Sequence, residues 1–390
     1  MLKQNEGIAT WLVAMLSVMA GISVANLYYC QPLLNLIRED VGLTEFQVNL
    51  MPVSTQVGYA VGLLFILPMG DLYNRRTTIL TCFGVLIGSL LTLSVSCNAP
   101  MLLAASFVTG VCSVAPQVFI PFVSQFSRPE EKARKVGLVL SGLLIGILAS
   151  RVVSGYVGHM FGWRTMYVIA ASIIALSALI LFKAFPYVSP TFHGRFTQLL
   201  RSILQLARRH PLSLRYSIRS AFAFGSLLGM WGCLAFRIKD APFFEGSDVV
   251  GLLGLCGVAG ALTASNVGRY VPRYGVERIN GIGQCLIIVS WVIMYFLQDS
   301  YAGLIAGIVL IDIGMQCIQL SNQSATLRLE VSASSRMNTI YMTIYFVGGS
   351  LGTFLAGTMW TLFGWTGTVL SGLALMLLSL CVNLLSPNKK

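Results

Sequence analysis

Charge is what this sequence has least of. Its 390 residues include 26 Lys and Arg, 14 Asp and Glu and three His, so 10% are charged, against 56% apolar residues and a mean hydropathy of +0.77. A soluble domain carries about 25% charged residues, which excludes a soluble globular protein. Gly and Pro follow no fixed period, so the chain is no collagen-like fibre, and nine Cys spread over its whole length do not make a small disulfide scaffold. Apart from His159 at the end of one, the long apolar runs contain no His, no metal-ligand spacing and no paired carboxylates, and there is no Walker-type phosphate loop. A membrane-embedded enzyme, an ATP-driven pump and a metal or cofactor dependence all lack their residues.

What is present is a series of apolar runs, each long enough to cross a hydrocarbon core of about 30 Å. Twelve are expected, near 8–30, 47–68, 77–97, 100–123, 137–160, 163–186, 216–238, 248–267, 279–298, 301–325, 337–360 and 363–385. With the N-terminus inside, 21 of the 26 basic residues fall in cytosolic segments. Arg38, Arg164, Arg237 and Lys239 fall outside, and Arg151 alone lies in mid-span. Basic loops resist translocation, so the expected topology has both termini in the cytoplasm. Seven acids (Glu39, Asp40, Glu45, Asp240, Glu245, Asp248 and Asp299) then lie outside. The excess of 12 positive charges thus reports sidedness and calls for no nucleic-acid partner. No cleavable signal peptide is expected, because the first apolar run is too long for an h-region and no small-residue cleavage site follows it. The Cys are read as small buried apolar residues.

The longest polar stretch divides the chain near its midpoint. The expected division is a six-helix bundle over 1–186, a cytosolic linker over 187–212 and a second six-helix bundle over 213–390. Within the linker, FTQLLRSILQLARR is amphipathic at helical spacing and basic on its polar face, which predicts a helix lying on an anionic inner leaflet. Sliding the halves by 202 residues brings Gly146 onto Gly348, Gly155 onto Gly357, Phe161-Gly162-Trp163 onto Phe363-Gly364-Trp365, Gln117 onto Gln319 and Arg134 onto Arg336. A repeat of two six-helix units with a site between them is a transporter architecture. Gly142 and Gly146, and Gly348, Gly349 and Gly352, would allow the close helix approach that a sliding interface needs. Trp163 and its copy Trp365 are expected as aromatic anchors at the outer interface.

The chain resembles the major facilitator superfamily over essentially its whole length. LPMGDLYNRR (67–76) is similar to that family's first cytosolic loop, Gly-x-Leu-Ala-Asp-x-x-Gly-Arg-Arg. It retains Gly70, Asp71, Arg75 and Arg76, with Leu67 and Asn74 in place of two glycines. In the second half NVGRYVPRYGVER keeps Gly268, Arg269, Gly275 and Arg278, with Pro272 in place of the acid. The resemblance implies that Gly70, Asp71, Arg75 and Arg76 form a latch between the halves on the cytosolic side. ANLYYCQPLL (25–34), SGLLIGILASRVVSG (141–155), IDIGMQCIQLSNQ (311–323) and SSRMNTIYMTIYFVGGSLG (334–352) resemble the twelve-span drug:proton antiporter branch, including sugar and drug efflux proteins. Where many relatives carry a basic residue in span 4 this chain has Ser106, and Ala149-Ser150-Arg151 stands where an antiporter Gly-Pro pair would be. The resemblance implies a monomeric, proton-coupled secondary transporter of small molecules, most simply an exporter in the inner membrane. Symport, facilitated uptake, or a non-transporting receptor or scaffold are the alternatives.

An ionisable group at bilayer depth costs on the order of 3 kcal/mol on insertion scales, so it persists where it pairs or works. Two stand near mid-depth, Arg151 and Asp312. The resemblance implies a fold in which spans 5 and 10 come close at the interface between the halves, so the two are expected to meet, either as a permanent ion pair or as the proton-coupling site. Burial favours a protonated carboxyl and a nearby guanidinium favours the carboxylate. Uncharged polar and aromatic candidates for the substrate cavity are Asn26, Tyr29, Gln56, Tyr59, Gln117, Trp231, Gln316, Gln319, Tyr341 and Tyr345, with Asn322 and Gln323 adding polarity to span 10.

Overall fold

The computed structural model describes residues 6–187, 195–330 and 333–384, without the side chains at 71, 265, 266, 268, 269, 272 and 384. Among the described residues the ordered structure is helical: α1 (Thr10–Ala25), α2 (Cys30–Val41), α3 (Glu45–Leu72), α4 (Arg75–Ser94), α5 (Ala99–Cys112), α6 (Ala115–Phe126), α7 (Pro129–Phe161), α8 (Trp163–Ala184), α9 (Phe196–Arg209), α10 (Pro211–Lys239), α11 (Ser247–Leu253), α12 (Val258–Tyr274), α13 (Val276–Phe296), α14 (Tyr301–Leu329) and α15 (Ser334–Leu384). Among the described residues eleven segments are long and apolar enough to cross a bilayer, and one, Ser334–Asn383, has 50 residues. Straight, it would measure about 75 Å. It instead turns back at Gly364, where φ is +57°, a conformation that a side chain resists. Counting that turn, the chain makes twelve crossings. Gly162, the repeat mate of Gly364, has φ +81° and makes the corresponding turn from α7 into α8.

Helix starts follow local chemistry. Thr44 and Gln47 form a reciprocal capping box on α3, Asn74 Oδ1 accepts from the Arg76 amide at the head of α4, and Asn98 Oδ1 accepts from the Met101 amide at the head of α5. Thr44 is exposed, so Thr44→Ala removes a cap and little else. It is expected to cost about 1 kcal/mol, read as a lowered unfolding temperature in detergent.

Three crossings are broken. The first was expected as one span ending near 30, but the helix stops at Ala25, turns through 26–29, and restarts as α2. Pro32 explains the restart: it lacks the amide hydrogen of an interior helical residue and fits within a first turn. Residues 31–41 are therefore helix, with Gln31, Leu33, Leu34 and Ile37 buried. The fourth crossing breaks at Ser113–Val114 ahead of Pro116, and the Ser23 hydroxyl donates to the Ser113 carbonyl (3.1 Å) freed there. In the eighth, a 3₁₀ turn at Gly254–Gly257 separates α11 from α12. Such breaks persist at depth only where other groups satisfy the loosened backbone.

Other expectations need correction. Trp163 and Trp365 are both buried, and their indole N–H groups donate to Asp40 Oδ2 (3.1 Å) and to the Met294 carbonyl (3.0 Å); packing leaves Phe161 and Phe363 exposed at those positions instead. The apolar face of α9 covers protein. Its Ile203 clusters with Met337 and Ile340 of α15, Phe196 lies against Phe65 of α3, and Arg336 donates to Ser202, while Arg201, Arg208 and Arg209 point outward. Gly142 and Gly146 pack on Ser17 and Gly21 of α1, and Gly348 and Gly352 on Ala221 and Gly225 of α10. Both close approaches thus lie within one half of the chain. All nine Cys are free thiols, with Cys30 buried and Cys97 exposed.

Candidate functional site

The two halves of the chain meet through side chains clustered at the end that carries the acid-rich loops. There Asn35 donates to the Ala235 carbonyl (2.6 Å), Asn49 to the Thr353 carbonyl (3.2 Å), Ser247 to the Gly155 carbonyl (3.0 Å), Lys239 pairs with Glu39, and Trp360 donates to Glu45 (2.8 Å). His159 lies 3.5 Å from Asp248 across the same seam. Burial first, then the Glu45 charge, push the Asp240 carboxyl up, against Arg237 and Arg38, which pull it down. Gly155 and Gly357, repeat mates, both lie on this seam. Gly155 packs against Ser247 and Gly251, and Gly357 against Asn49. Asn49 and Gly251 are themselves separated by 202 residues, so the internal repeat builds the seam twice.

Beyond the seam, towards mid-depth, lie the two ionisable groups. Arg151 of α7 is 4% exposed. Its Nε donates to Gln31 Oε1 (2.9 Å), and its guanidinium carbon stands 3.9 Å from the Trp231 ring centroid and 5.1 Å from that of Tyr28. Asp312 of α14 is half-buried, with Oδ2 sealed and without a hydrogen-bond partner. The 3₁₀ turn runs past both. A Cβ at Gly254 would lie 3.0 Å from Arg151 Cβ, and one at Gly257 would lie 3.3 Å from Asp312 Oδ2. The expected contact between them is not closed: no Arg151–Asp312 ion pair within 4.0 Å forms, because Gln31 and the two aromatic rings hold the guanidinium.

The uncharged candidates divide. Tyr59 interacts with Gln117, which accepts from Asn338 of the other half (3.3 Å). Tyr59 also packs on Phe346 (4.3 Å between centroids), Phe346 on Phe224 (5.2 Å), and Phe224 stacks on Tyr345 (3.8 Å), making one aromatic wall across the halves. The Tyr345 hydroxyl donates to Gln319 Oε1 and the Tyr341 hydroxyl to the Gln319 carbonyl, each at 3.0 Å. Gln56 instead accepts from Thr353 on the seam (3.1 Å), and Asn26 turns back onto the Ile22 and Ser23 carbonyls to close the end of α1. Tyr29 is buried at the α1–α2 break, and Gln316 is half-buried without a hydrogen-bond partner. Arg75 donates to Gln125 (3.0 Å) and Arg76 to the Phe182 carbonyl, both in their own half, with Arg75 also near the Gly70 carbonyl (3.4 Å). The Asp71 side chain lies outside the described residues.

Sequence reasoning missed Gln31 and Phe346, whereas Tyr28 and Phe224 stand out from sequence as polar and aromatic surface of spans 1 and 7. Gln31 falls just past the end of the first expected span, and Pro32 is the signal for a helix start there. It also missed Arg219, counted among loop charges but fully buried in α10. Arg219 donates to Glu277, Asn383 Oδ1 (2.5 Å) and Asn322 Oδ1 (2.5 Å). Asn322 therefore belongs to a closed polar knot of the second half rather than to the space around Asp312.

The chain is similar to known proteins over nearly its whole length. An uncharacterized transporter, YgaY, of Escherichia coli O157:H7 is 32% identical over 382 residues, covering 98% of this chain and 97% of its own. A "Probable transporter" of Streptomyces coelicolor is 30% identical over 92% of this chain and 84% of its own. Among solved structures, a bacterial homologue of the lysosomal transporter Spinster superposes with a TM-score of 0.76 at 16% identity, over 96% and 95% of the two chains. The nucleoside transporter NupG superposes with 0.76 at 13% identity, over 96% and 98%. The profile of the Major Facilitator Superfamily matches residues 12–352. With its apolar helical crossings and this family match, the chain is a membrane transporter and belongs to the Major Facilitator Superfamily.

Proposed function

We propose that the protein exports a small molecule across the cytoplasmic membrane in exchange for protons, by rocking residues 1–186 against 213–390 about the site between them, with both termini in the cytoplasm. The observation that carries the reading is Asp312: a carboxyl at mid-depth with one oxygen sealed and unpartnered, beside a guanidinium whose field it feels without closing an ion pair. Such a group gains or loses a proton as its surroundings change. With the acid-rich end outside, the seam of Gly155, Gly357 and their partners closes the outer side. In the opposite state the latch of Gly70, Asp71, Arg75 and Arg76 engages the second half. The energy suffices: about 2.3 kcal/mol per charge per 100 mV supports a gradient of roughly fifty-fold per proton.

The test uses purified protein in liposomes with an imposed pH gradient, screened against dyes, sugars and amino acids. Wild type is expected to move one class against its gradient. Asp312→Asn is expected to lose pH-driven accumulation entirely while still exchanging substrate across the membrane at equal pH. Normal proton coupling in Asp312→Asn refutes the assignment.

A further inference from the structure

Arg151 is anchored in a way that leaves half of it unused. Gln31 takes Nε, Trp231 and Tyr28 cover the faces of the guanidinium, and among the described residues the two terminal nitrogens have no acceptor. Neither is sealed off as Asp312 Oδ2 is. A guanidinium receives a carboxylate in parallel either through Nε and one terminal nitrogen or through the terminal pair. Gln31 blocks the first arrangement, so the open edge is the end-on pair. A buried cation lacking a carboxylate within 4.0 Å is also costly, and an anion arriving at that edge would offset the cost.

We infer that the transported molecule carries a carboxylate, which docks end-on against Nη1 and Nη2 of Arg151, with its apolar body against the aromatic wall of Tyr59, Phe346, Phe224 and Tyr345. The inference rests on the proposed transport through this site and names the substrate class. Gln31 acts as a positioning residue that aims the fork, and Trp231 as the surface on which the guanidinium lies flat. A cation is disfavoured at that edge by the charge of Arg151 itself. Asp312 is then the internal rival anion, held apart from Arg151 while the end-on edge is free to be filled.

Binding separates this inference from proton coupling, since it needs neither a membrane nor a gradient. The full chain in detergent is titrated with benzoate, phenylacetate and indole-3-acetate, and with benzamide and benzylamine as neutral and cationic counterparts, by calorimetry and by shift of the unfolding temperature. At least one carboxylate is expected to bind ten-fold or more tightly than benzamide and benzylamine. Arg151→Lys, which keeps the charge and loses the fork, is expected to weaken it at least ten-fold, and Arg151→Gln to abolish it. Gln31→Ala is expected to weaken it several-fold while leaving carboxylates preferred. Should the Arg151 variants not fold, the selectivity of wild type and the response of Trp231→Phe, expected to be weakened binding, carry the test. Tighter binding of benzylamine, no binding of any carboxylate, or an unchanged affinity in Arg151→Lys overturns the inference. Carboxylate binding without pH-driven transport leaves it standing and removes the proposed coupling. Transport of a neutral or cationic solute without carboxylate binding does the reverse.

Discussion

Gly155→Leu is expected to cut transport by at least ten-fold and to leave the acid-rich end open. A Cβ at 155 falls well inside van der Waals contact of the Ser247 carbonyl oxygen, and 3.0 Å from Gly251 Cα, so backbone, not a flexible side-chain tip, stands in its way. The strain exists only while the halves are closed at that end. Overpacking of this kind costs about 1–3 kcal/mol, and about 3 kcal/mol of strain in one state shifts a two-state equilibrium by roughly 150-fold. Maleimide labelling of a single cysteine introduced as Ser247→Cys, in a cysteine-free background, is expected to rise in the Gly155→Leu protein. Gly357→Leu should act alike through Asn49. Gly84→Leu is the control, since nothing lies within 4 Å of a Cβ there, and should leave labelling and transport unchanged. Unaltered labelling in Gly155→Leu would show that the seam does not govern access.

The second large effect concerns stability. Asn322→Leu is expected to destabilise the protein by about 3 kcal/mol or more, and further than Arg219→Met. Asn322 Oδ1 accepts from Arg219 (2.5 Å) and Asn280 (3.0 Å), and its amide donates to Ser220 (2.8 Å) and Asn280 (2.9 Å), tying α10, α13 and α14 together. Removing it leaves a fully buried guanidinium short of an acceptor, together with several orphaned neutral groups. Breaking a buried charged pair from one side costs about 3–5 kcal/mol. Removing the charge itself leaves two neutral amides short of a donor, at about 1–3 kcal/mol each, and the Glu277 carboxylate, which is exposed enough for water to take over. Glu277, although paired with Arg219, is 49% exposed, so Glu277→Gln should cost less than about 1 kcal/mol. Apparent unfolding temperatures at a fixed scan rate should rank Asn322→Leu lowest, then Arg219→Met, then Glu277→Gln. Equal shifts for Asn322→Leu and Glu277→Gln would contradict the account of the knot.

The contrast between Arg151 and Arg219 shows what could be read in advance. Arg151 stood out because it interrupts an apolar run with no other charge near it, a purely local signal. Arg219 was passed over because Arg215 precedes it and the chain nearby is basic, which reads as a cytosolic fringe. Its burial depends on Glu277, Asn322 and Asn383, residues 58 to 164 positions away. Gln31 was lost for a related reason: hydropathy falls at the end of the first run, but the chain continues as a helix that dives back against α7 and α10. The small-residue pairs were legible as close contacts, yet their partners were not. Gly146 and Gly155 differ by nine positions on one helix, and one packs within its half while the other packs across the seam.

By itself, then, the order of residues determined the twelve crossings, the duplication at an offset of 202 and the two lone charges at mid-depth. Each rests on run length, spacing or composition, which a bilayer reads segment by segment. Only the tertiary structure decided where those crossings break, which glycines face the other half, that Trp163, Trp365 and the apolar side of α9 are covered by protein, and that Arg151 is held by Gln31, Tyr28 and Trp231 rather than by Asp312. The physical reason is that burial and partner choice belong to surfaces assembled from distant segments, and a helix periodicity names a face without naming what will cover it.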